Sequence, residues 1–429
     1  MALIRYHHGM SSQSQASPSP TKPSEGNQTT DFCIVGGGII GKACALGLAQ
    51  LGYSVIQIAP DLEKNQALIP NQFGQRVYAL APSTKTLLSE LHVWDALDHQ
   101  RIQAVRDMHI FGDRGQANDR LHFSAFEAGR SELAWITEAD LIELTLDQAI
   151  RFQKQIRNIN TSVSDIHIEK DVKPTLVLSS GEQISAQLII AADGARSPLR
   201  STIGIAVHEH GYDQIAVVAN FSCAYPHLQT AYQWFLPGGD ILAMLPLPKQ
   251  QVSMVWSTSP EDANHLMQLH SGAWPKLLQE QVGGSIHKAL GALQLQSMPA
   301  NFPLKRIKAQ SLIGPNYDPK VILLGDAAHV IHPLAGQGLN LGLRDVASLL
   351  QVIKNKEGFR AIDDRILLRR YERQREGDTS SLLWITHRLK KLFGTSSPLE
   401  KQIRNWGLGF VNRSHMIKRQ LIERALGDY

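Results

Sequence analysis

Ile34-Val-Gly-Gly-Gly-Ile-Ile-Gly41 decides the fold of this chain. Upstream, Asp31-Phe-Cys-Ile-Val35 reads as a short apolar strand, and downstream an Ala/Leu-rich helix runs to about Leu51. Gly52 ends that helix, and Ser54-Val-Ile-Gln-Ile58 reads as a second strand. Strand, glycine turn, helix and strand make a βαβ unit with the spacing of a dinucleotide-binding turn. Gly36 permits the tight turn, Gly38 lets the backbone approach a pyrophosphate, and Gly41 lets helix and strand pack closely. A pyrophosphate then rests on the helix N-terminus, where free N–H groups favour negative charge. One element departs from the pattern. The second strand ends in Ala59-Pro60, where an acidic residue ordinarily meets the ribose, with Asp61 and Glu63 just beyond.

Two later segments enlarge the site. Ile189-Ile-Ala-Ala-Asp-Gly-Ala-Arg196 is an apolar strand ending in Asp193-Gly194, and Ser197-Pro-Leu-Arg200 opens a helix after it. Val321-Ile-Leu-Leu-Gly325 is a buried strand with Asp326 at its carboxyl end, where α/β sheets place their ligands. A carboxylate there can accept hydrogen bonds from a polyol such as ribitol. His332-Pro-Leu-Ala-Gly-Gln-Gly-Leu-Asn-Leu-Gly342 then reads as a Gly-rich turn opening a long helix. Its N–H groups suit the negative edge of a reduced flavin. A dinucleotide gripped by segments this far apart spans the domain, which points to FAD.

Together these residues resemble the single-domain-FAD aromatic hydroxylases typified by para-hydroxybenzoate hydroxylase. Within that group the chain is most similar to the ubiquinone-biosynthesis hydroxylase family. Stretches such as Arg76-Val-Tyr-Ala-Leu80, Leu245-Pro-Leu247, Val255-Trp-Ser257 and Tyr371-x-x-x-Arg375 carry the likeness from about Asp31 to the C-terminus. The resemblance implies that Gly36, Gly38 and Gly41 hold the FAD pyrophosphate and that Arg76 lies near the phosphates or the site entrance. It implies that Asp193, with Gly194, bridges FAD and a transient nicotinamide site, and that Asp326, with Gly325, holds the ribityl chain. Gly336, Gln337, Gly338, Leu339 and Asn340 would run along the isoalloxazine, and His332 and Pro333 would line its edge. The implied activity is hydroxylation of a polyprenylated phenol with NAD(P)H and O2, through a flavin C4a-hydroperoxide. No catalytic base is assignable; His329 and His332 qualify by location, and a structural role suits either equally. An FAD hydroxylase of a small soluble phenol, an FAD-bearing accessory subunit of a biosynthetic complex and a geranylgeranyl-reductase-like activity remain rival readings.

The expected fold is α/β: a Rossmann-like FAD-binding domain with an inserted antiparallel β-sheet substrate domain and a C-terminal helical segment. The expected FAD domain is discontinuous over 31–103, 127–204 and 305–360, with the substrate sheet at 104–126 and 205–304. Residues 1–30, rich in Ser, Gln and Pro, read as a disordered leader, and 361–429 as helices. The net charge of +4 over 429 residues gives no reason to expect nucleic acid. The last segment carries 14 Lys and Arg against 8 Asp and Glu from Ala361 onward. There Trp384, Phe393, Trp406 and Phe410 interleave with Arg388, Lys390, Lys391, Arg404 and Arg413. Such a segment suits peripheral contact with a membrane, and packing against the FAD domain equally. Cys33, Cys44 and Cys223 form neither a metal spacing nor a disulfide framework, so no metal is expected and the compartment reads as reducing and cytoplasmic, at the inner face of a membrane.

Overall fold

A strand whose last four residues are all buried belongs in the middle of a parallel sheet, covered on both faces. Gln28–Val35 is such a strand. The computed structural model, which describes residues 28–60, 68–69, 72–112, 120–331 and 337–377, places it there. Val55–Ile58 lies on one side and Gln183–Ala191 on the other, both parallel to it. Ile156–Ile159 extends the sheet beyond Val55–Ile58, and Val321–Leu323 extends it beyond Gln183–Ala191, again in parallel. The chain builds outward on one side of its first strand and then returns to the other. The switch point therefore falls between Gln28–Val35 and Gln183–Ala191, where such sheets bind ligands. At the carboxyl edge Ile58, Val35, Ala191 and Leu323 stand at one level.

Helices cover the faces. Ala139–Arg151 turns Leu141, Ile142, Thr145, Leu146 and Ile150 inward, a stripe at helical spacing. Lys42 and Asp147 join it to Ile39–Gln50 through an ion pair of 2.8 Å. The long helix Gln337–Lys354 packs against Ile39–Gln50, close enough that a Cβ on Gly47 would sit 2.4 Å from Leu350 Cδ1.

A second sheet is centred on the 17-residue strand Val207–Cys223, which pairs with Gln251–Thr258, Ala300–Ala309 and Leu293–Leu295. Ile241–Leu247, Thr230–Phe235, Asp107–Phe111 and Arg120–Ser124 follow in that order. It is antiparallel except between Thr230–Phe235 and Asp107–Phe111, which run parallel. One face buries Trp234, Leu242, Met244, Met254 and Trp256 with Trp274, Leu278 and Ile286 of the helices after it. Burial of an aliphatic side chain there stabilises by roughly 1.5–3 kcal/mol. The other face meets a small three-stranded sheet of Val77–Leu80, Ala134–Glu138 and Gln103–Val105, where Leu245, Leu247, Ala231 and Met108 pack on Phe73, Val105 and Ile136.

Several boundaries fall away from the expected ones. The first strand starts at Gln28, because Thr30 Oγ1 donates to Ser54 O at 2.9 Å and the Asp31 carboxylate clasps Ser54, so polar residues extend it. Residues 104–105 belong to the three-stranded sheet, and Lys305–Ala309 continue a strand of the substrate sheet. Past Asp364 the chain is helical over 365–377. The leader through residue 27, Asp61 and Glu63, and the basic segment from residue 378 lie outside the described residues.

Candidate active site

The glycine turn is packed on its protein side and open on its outer side. Gly36 donates its N–H to Ile58 O at 2.9 Å and adopts φ +134°, and a Cβ there would lie 2.1 Å from Ala192 O. A Cβ on Gly41 would lie 2.3 Å from Gly36 O, the same oxygen that accepts from the buried Gln57 Nε2 at 2.8 Å. At Gly38 a Cβ would meet nothing within 4 Å. Gly38 caps the helix without a side-chain hydrogen bond, and the first turn holds no acidic residue. The free N–H groups therefore face open space.

Beside it, Asp193 ends the neighbouring strand. Its Oδ2 accepts the Leu199 N–H at 3.2 Å, while its buried Oδ1 has no partner. Burial raises its carboxyl pKa, and the Ser197 and Leu199 hydrogen bonds and Arg200 oppose this. Gly194 follows with φ +85°. Arg200, buried, donates through Nη1 to Ala327 O at 2.8 Å and through Nη2 to Ala195 O at 3.0 Å. It fastens the Asp193-Gly194 turn to the Gly325–Ala327 turn, a role that sequence reading missed.

Gly325 takes φ +58° and places Asp326 at the open carboxyl edge beyond Val321–Leu323. The Asp326 carboxyl reaches solvent but is hemmed in by protein, which raises its pKa; Arg76 and then His329 pull it down. The Arg76 guanidinium lies 5.4 Å over the Tyr78 ring, so Arg76, Tyr78 and Asp326 share one side of the cleft. Gly338 is open, and Gln337 Oε1 is buried without a partner. Leu339 is buried in the core beneath the FAD sheet. Asn340 is committed to the protein: Oδ1 accepts from Ala81 N–H at 2.9 Å and Thr84 Oγ1 at 2.8 Å, and Nδ2 donates to Ala79 O at 2.8 Å. Its side chain thus ties the long helix to the strand after Arg76 and is spent on the protein. His332, Pro333 and Gly336 lie outside the described residues.

His329 faces inward. It is buried, with Nε2 2.7 Å from Asp345 Oδ2, so it is out of reach as a base for a ligand in the cleft. Burial lowers its pKa and the Asp345 carboxylate raises it, burial prevailing, with Arg375, Asp326 and Lys308 as further charges. Burial in the folded protein disfavours the protonated form of His329, whereas the unfolded chain takes its proton near pH 6.5. Its contribution to stability is therefore full above about pH 6.5 and is lost as pH falls toward the depressed folded value. Asp193 and Asp326, with raised pKa values, act in the opposite sense in the carboxylate range. His329→Gln is expected to flatten the decline of thermal stability below pH 6.5. An unchanged slope would remove His329 as its source.

The segment leading to Arg76 is held by another buried group. Arg101 Nε and Nη2 each lie 2.8 Å from a Glu138 carboxylate oxygen, and the guanidinium also donates to Ile69 O and Gln72 O. Glu138 accepts the Gly74 N–H at 2.5 Å, and Asn220 of the substrate sheet donates to Phe73 O at 2.9 Å. These contacts join the substrate sheet to the FAD side. Next to them, one face of that sheet carries Ile110, Gln233, Ala243, Val255 and Val218 in a row across five strands. The flanking rows on this face are Met108, Ala231, Leu245, Ser253 and Asn220, and Phe235, Ile241, Ser257, Ala216 and Phe302. None of these positions is charged, and Val255, Ala243 and Leu245 are half-buried.

The arrangement fits FAD. Open backbone donors at Gly38 suit a pyrophosphate, an orphaned Asp193 oxygen and the Asp326 carboxylate suit hydroxyl donors, and the motifs line one sheet edge. Among the described residues no group of three His, Cys, Asp or Glu could hold a metal ion. A family model described as FAD binding domain matches residues 29–379. The chain is 32% identical over 403 residues to 3-demethoxyubiquinol 3-hydroxylase of Escherichia coli (strain K12), covering 94% of this chain and 99% of that protein. It is 30% identical over 415 residues to ubiquinone hydroxylase UbiL of Rhodospirillum rubrum, covering 96% and 93%. Its fold is similar to the crystal structure of p-nitrophenol 4-monooxygenase PnpA from Pseudomonas putida DLL-E4, with a TM-score of 0.71, 18% identity, and 94% and 100% of the chains covered.

Proposed function

For a chain that belongs to the FAD-binding-domain family and, within it, to the ubiquinone-biosynthesis hydroxylases, we propose hydroxylation of a polyprenylated phenol in that biosynthesis, with NAD(P)H and O2 as co-substrates. The chain is a flavoprotein monooxygenase with FAD as its cofactor. The observation that carries the finer reading is the uncharged face of the substrate sheet, with Ala243 and Val255 half-buried at its centre, beside the FAD strands. A small phenol bearing a carboxylate would need a cation among those positions, and none of them is charged. A ring with a hydrocarbon tail needs only apolar contact.

Bound FAD supplies hydride acceptance and oxygen activation, chemistry that no side chain provides. The chain's own residues do the rest. Gly38 and the first helical turn receive the pyrophosphate, and Arg76 adds an exposed positive charge on the Asp326 side of the cleft. Asp326 accepts from the ribityl hydroxyls, and Asp193 offers its unpartnered oxygen near the nicotinamide approach. The Leu245, Val255 and Ala243 face holds the substrate ring and excludes water. In this reading the substrate reaches the protein from lipid, by peripheral contact. No described helix is long and apolar enough to cross a membrane.

NAD(P)H oxidation by FAD-loaded protein, with and without a short-chain prenylphenol, tests the reading, with the product analysed by mass. The expected result is stimulation of at least tenfold and a product heavier by one oxygen atom. Stimulation by a small charged phenol instead would favour a soluble substrate. FAD binding without stimulation by either would favour an accessory role and overturn the proposal.

A further inference from the structure

The turn bearing Asp326 is gripped from inside by a carboxylate that faces away from the cleft. Asp345, on the long helix, is fully buried. Its Oδ2 accepts the Gly325 N–H at 2.9 Å and lies 2.7 Å from His329 Nε2, and its Oδ1 lies 2.7 Å from Arg375 Nε. Arg375 is 1% exposed and stands one helical turn after Tyr371, whose hydroxyl donates to Leu323 O at 3.0 Å. One face of the 365–377 helix thus grips both the end of Val321–Leu323 and, through Asp345, the turn that follows it. The Tyr371-x-x-x-Arg375 spacing places both residues on that face. A buried ion pair is weak evidence of net stabilisation, because desolvation offsets the attraction; its better-attested use is to fix one geometry. Here the fixed groups are the Gly325 N–H, on the residue before Asp326, and the His329 ring three residues after it.

We propose that Asp345 and Arg375 are positioning residues for FAD: their buried pair orients the Gly325 N–H and so sets the Asp326 carboxylate against the ribityl chain. The proposal rests on the reading of Asp326 as a cofactor ligand.

The test is FAD titration of FAD-free protein by flavin fluorescence, with melting temperatures measured on the same samples. Arg375→Lys keeps the charge and loses the planar fork, and is expected to weaken FAD binding about tenfold. Asp363→Asn is the control. It removes the Lys320–Asp363 pair of 2.7 Å at the opposite, amino end of the same strand. It is expected to lower the melting temperature while leaving FAD affinity within about twofold. Asp326→Ala should weaken binding by itself, and adding Arg375→Lys to it should weaken binding no further. Additive effects, or equal losses of affinity from Asp363→Asn and Arg375→Lys at equal melting temperature, would overturn the positioning role, as would unchanged affinity in Arg375→Lys. If Asp326→Ala binds FAD normally, the ligand reading of Asp326 fails instead, and the proposal falls with it. Should Arg375→Lys not fold, Asp345→Asn takes its place under the same criteria.

Discussion

Alanine at Gly36 is expected to destroy the fold around the turn, whereas alanine at Gly38 is expected to leave a folded protein that binds FAD poorly. Gly36 sits at φ +134°, and its added Cβ would lie 2.1 Å from a backbone oxygen of the adjacent strand, which cannot swing aside. Strain and overpacking together should cost about 3 kcal/mol or more. Gly38 has φ −82° and open space beside it, so Gly38→Ala should stay within about 0.5 kcal/mol of wild type. Its methyl would stand where a pyrophosphate must approach the backbone. A loss of FAD affinity of at least roughly tenfold, or about 1.4 kcal/mol, is expected. Urea denaturation of the FAD-free proteins and FAD titration separate the two effects. Normal FAD binding by Gly38→Ala would remove the turn from the phosphate site.

The other large effect is expected at Arg101, far from any motif. Glu138 is 1% exposed and receives both arms of the Arg101 guanidinium, each at 2.8 Å. Arg101→Met would strand that carboxylate in the interior, at a cost of about 3–5 kcal/mol. It would also free Ile69 O and Gln72 O, loosening the segment that leads to Arg76. Adding Glu138→Leu removes the stranded charge, so the double variant should be more stable than the sum of the single losses. Urea midpoints of the wild type, both single variants and the double variant check this. A loss under about 1 kcal/mol in Arg101→Met would show that water reaches Glu138.

Residues with local partners were legible from the chain alone. The Gly36, Gly38 and Gly41 spacing, the strand before it and the helix after it lie within one stretch of about twenty residues, governed by backbone sterics and burial. Asp193 and Asp326 were legible because each ends an apolar run, and a buried strand delivers its next residue to the sheet edge. The uncharged face of the substrate sheet was visible only as alternation. Which face meets the small sheet that carries Val77–Leu80 was not visible, because both faces are largely apolar and the register that separates them is a property of strand pairing.

What could not be read were the uses of side chains whose partners are distant in sequence. Arg200 finds Ala327 O across 127 positions and Asn220 finds Phe73 O across 147, and nothing near either residue announces the meeting. Asn340 lies inside a motif that suggested a ligand, yet its amide is spent on Ala79, Ala81 and Thr84. His329 lies beside Asp326 in the chain but turns inward to Asp345. The sequence by itself determined the strands, the glycine turn, the acidic strand ends and hence the cofactor class, because periodicity and backbone sterics act over a few residues. Only the tertiary structure decided which polar atoms remain for a ligand and which are consumed in holding the site, because a buried donor or acceptor is satisfied by whatever packing brings within 3 Å of it.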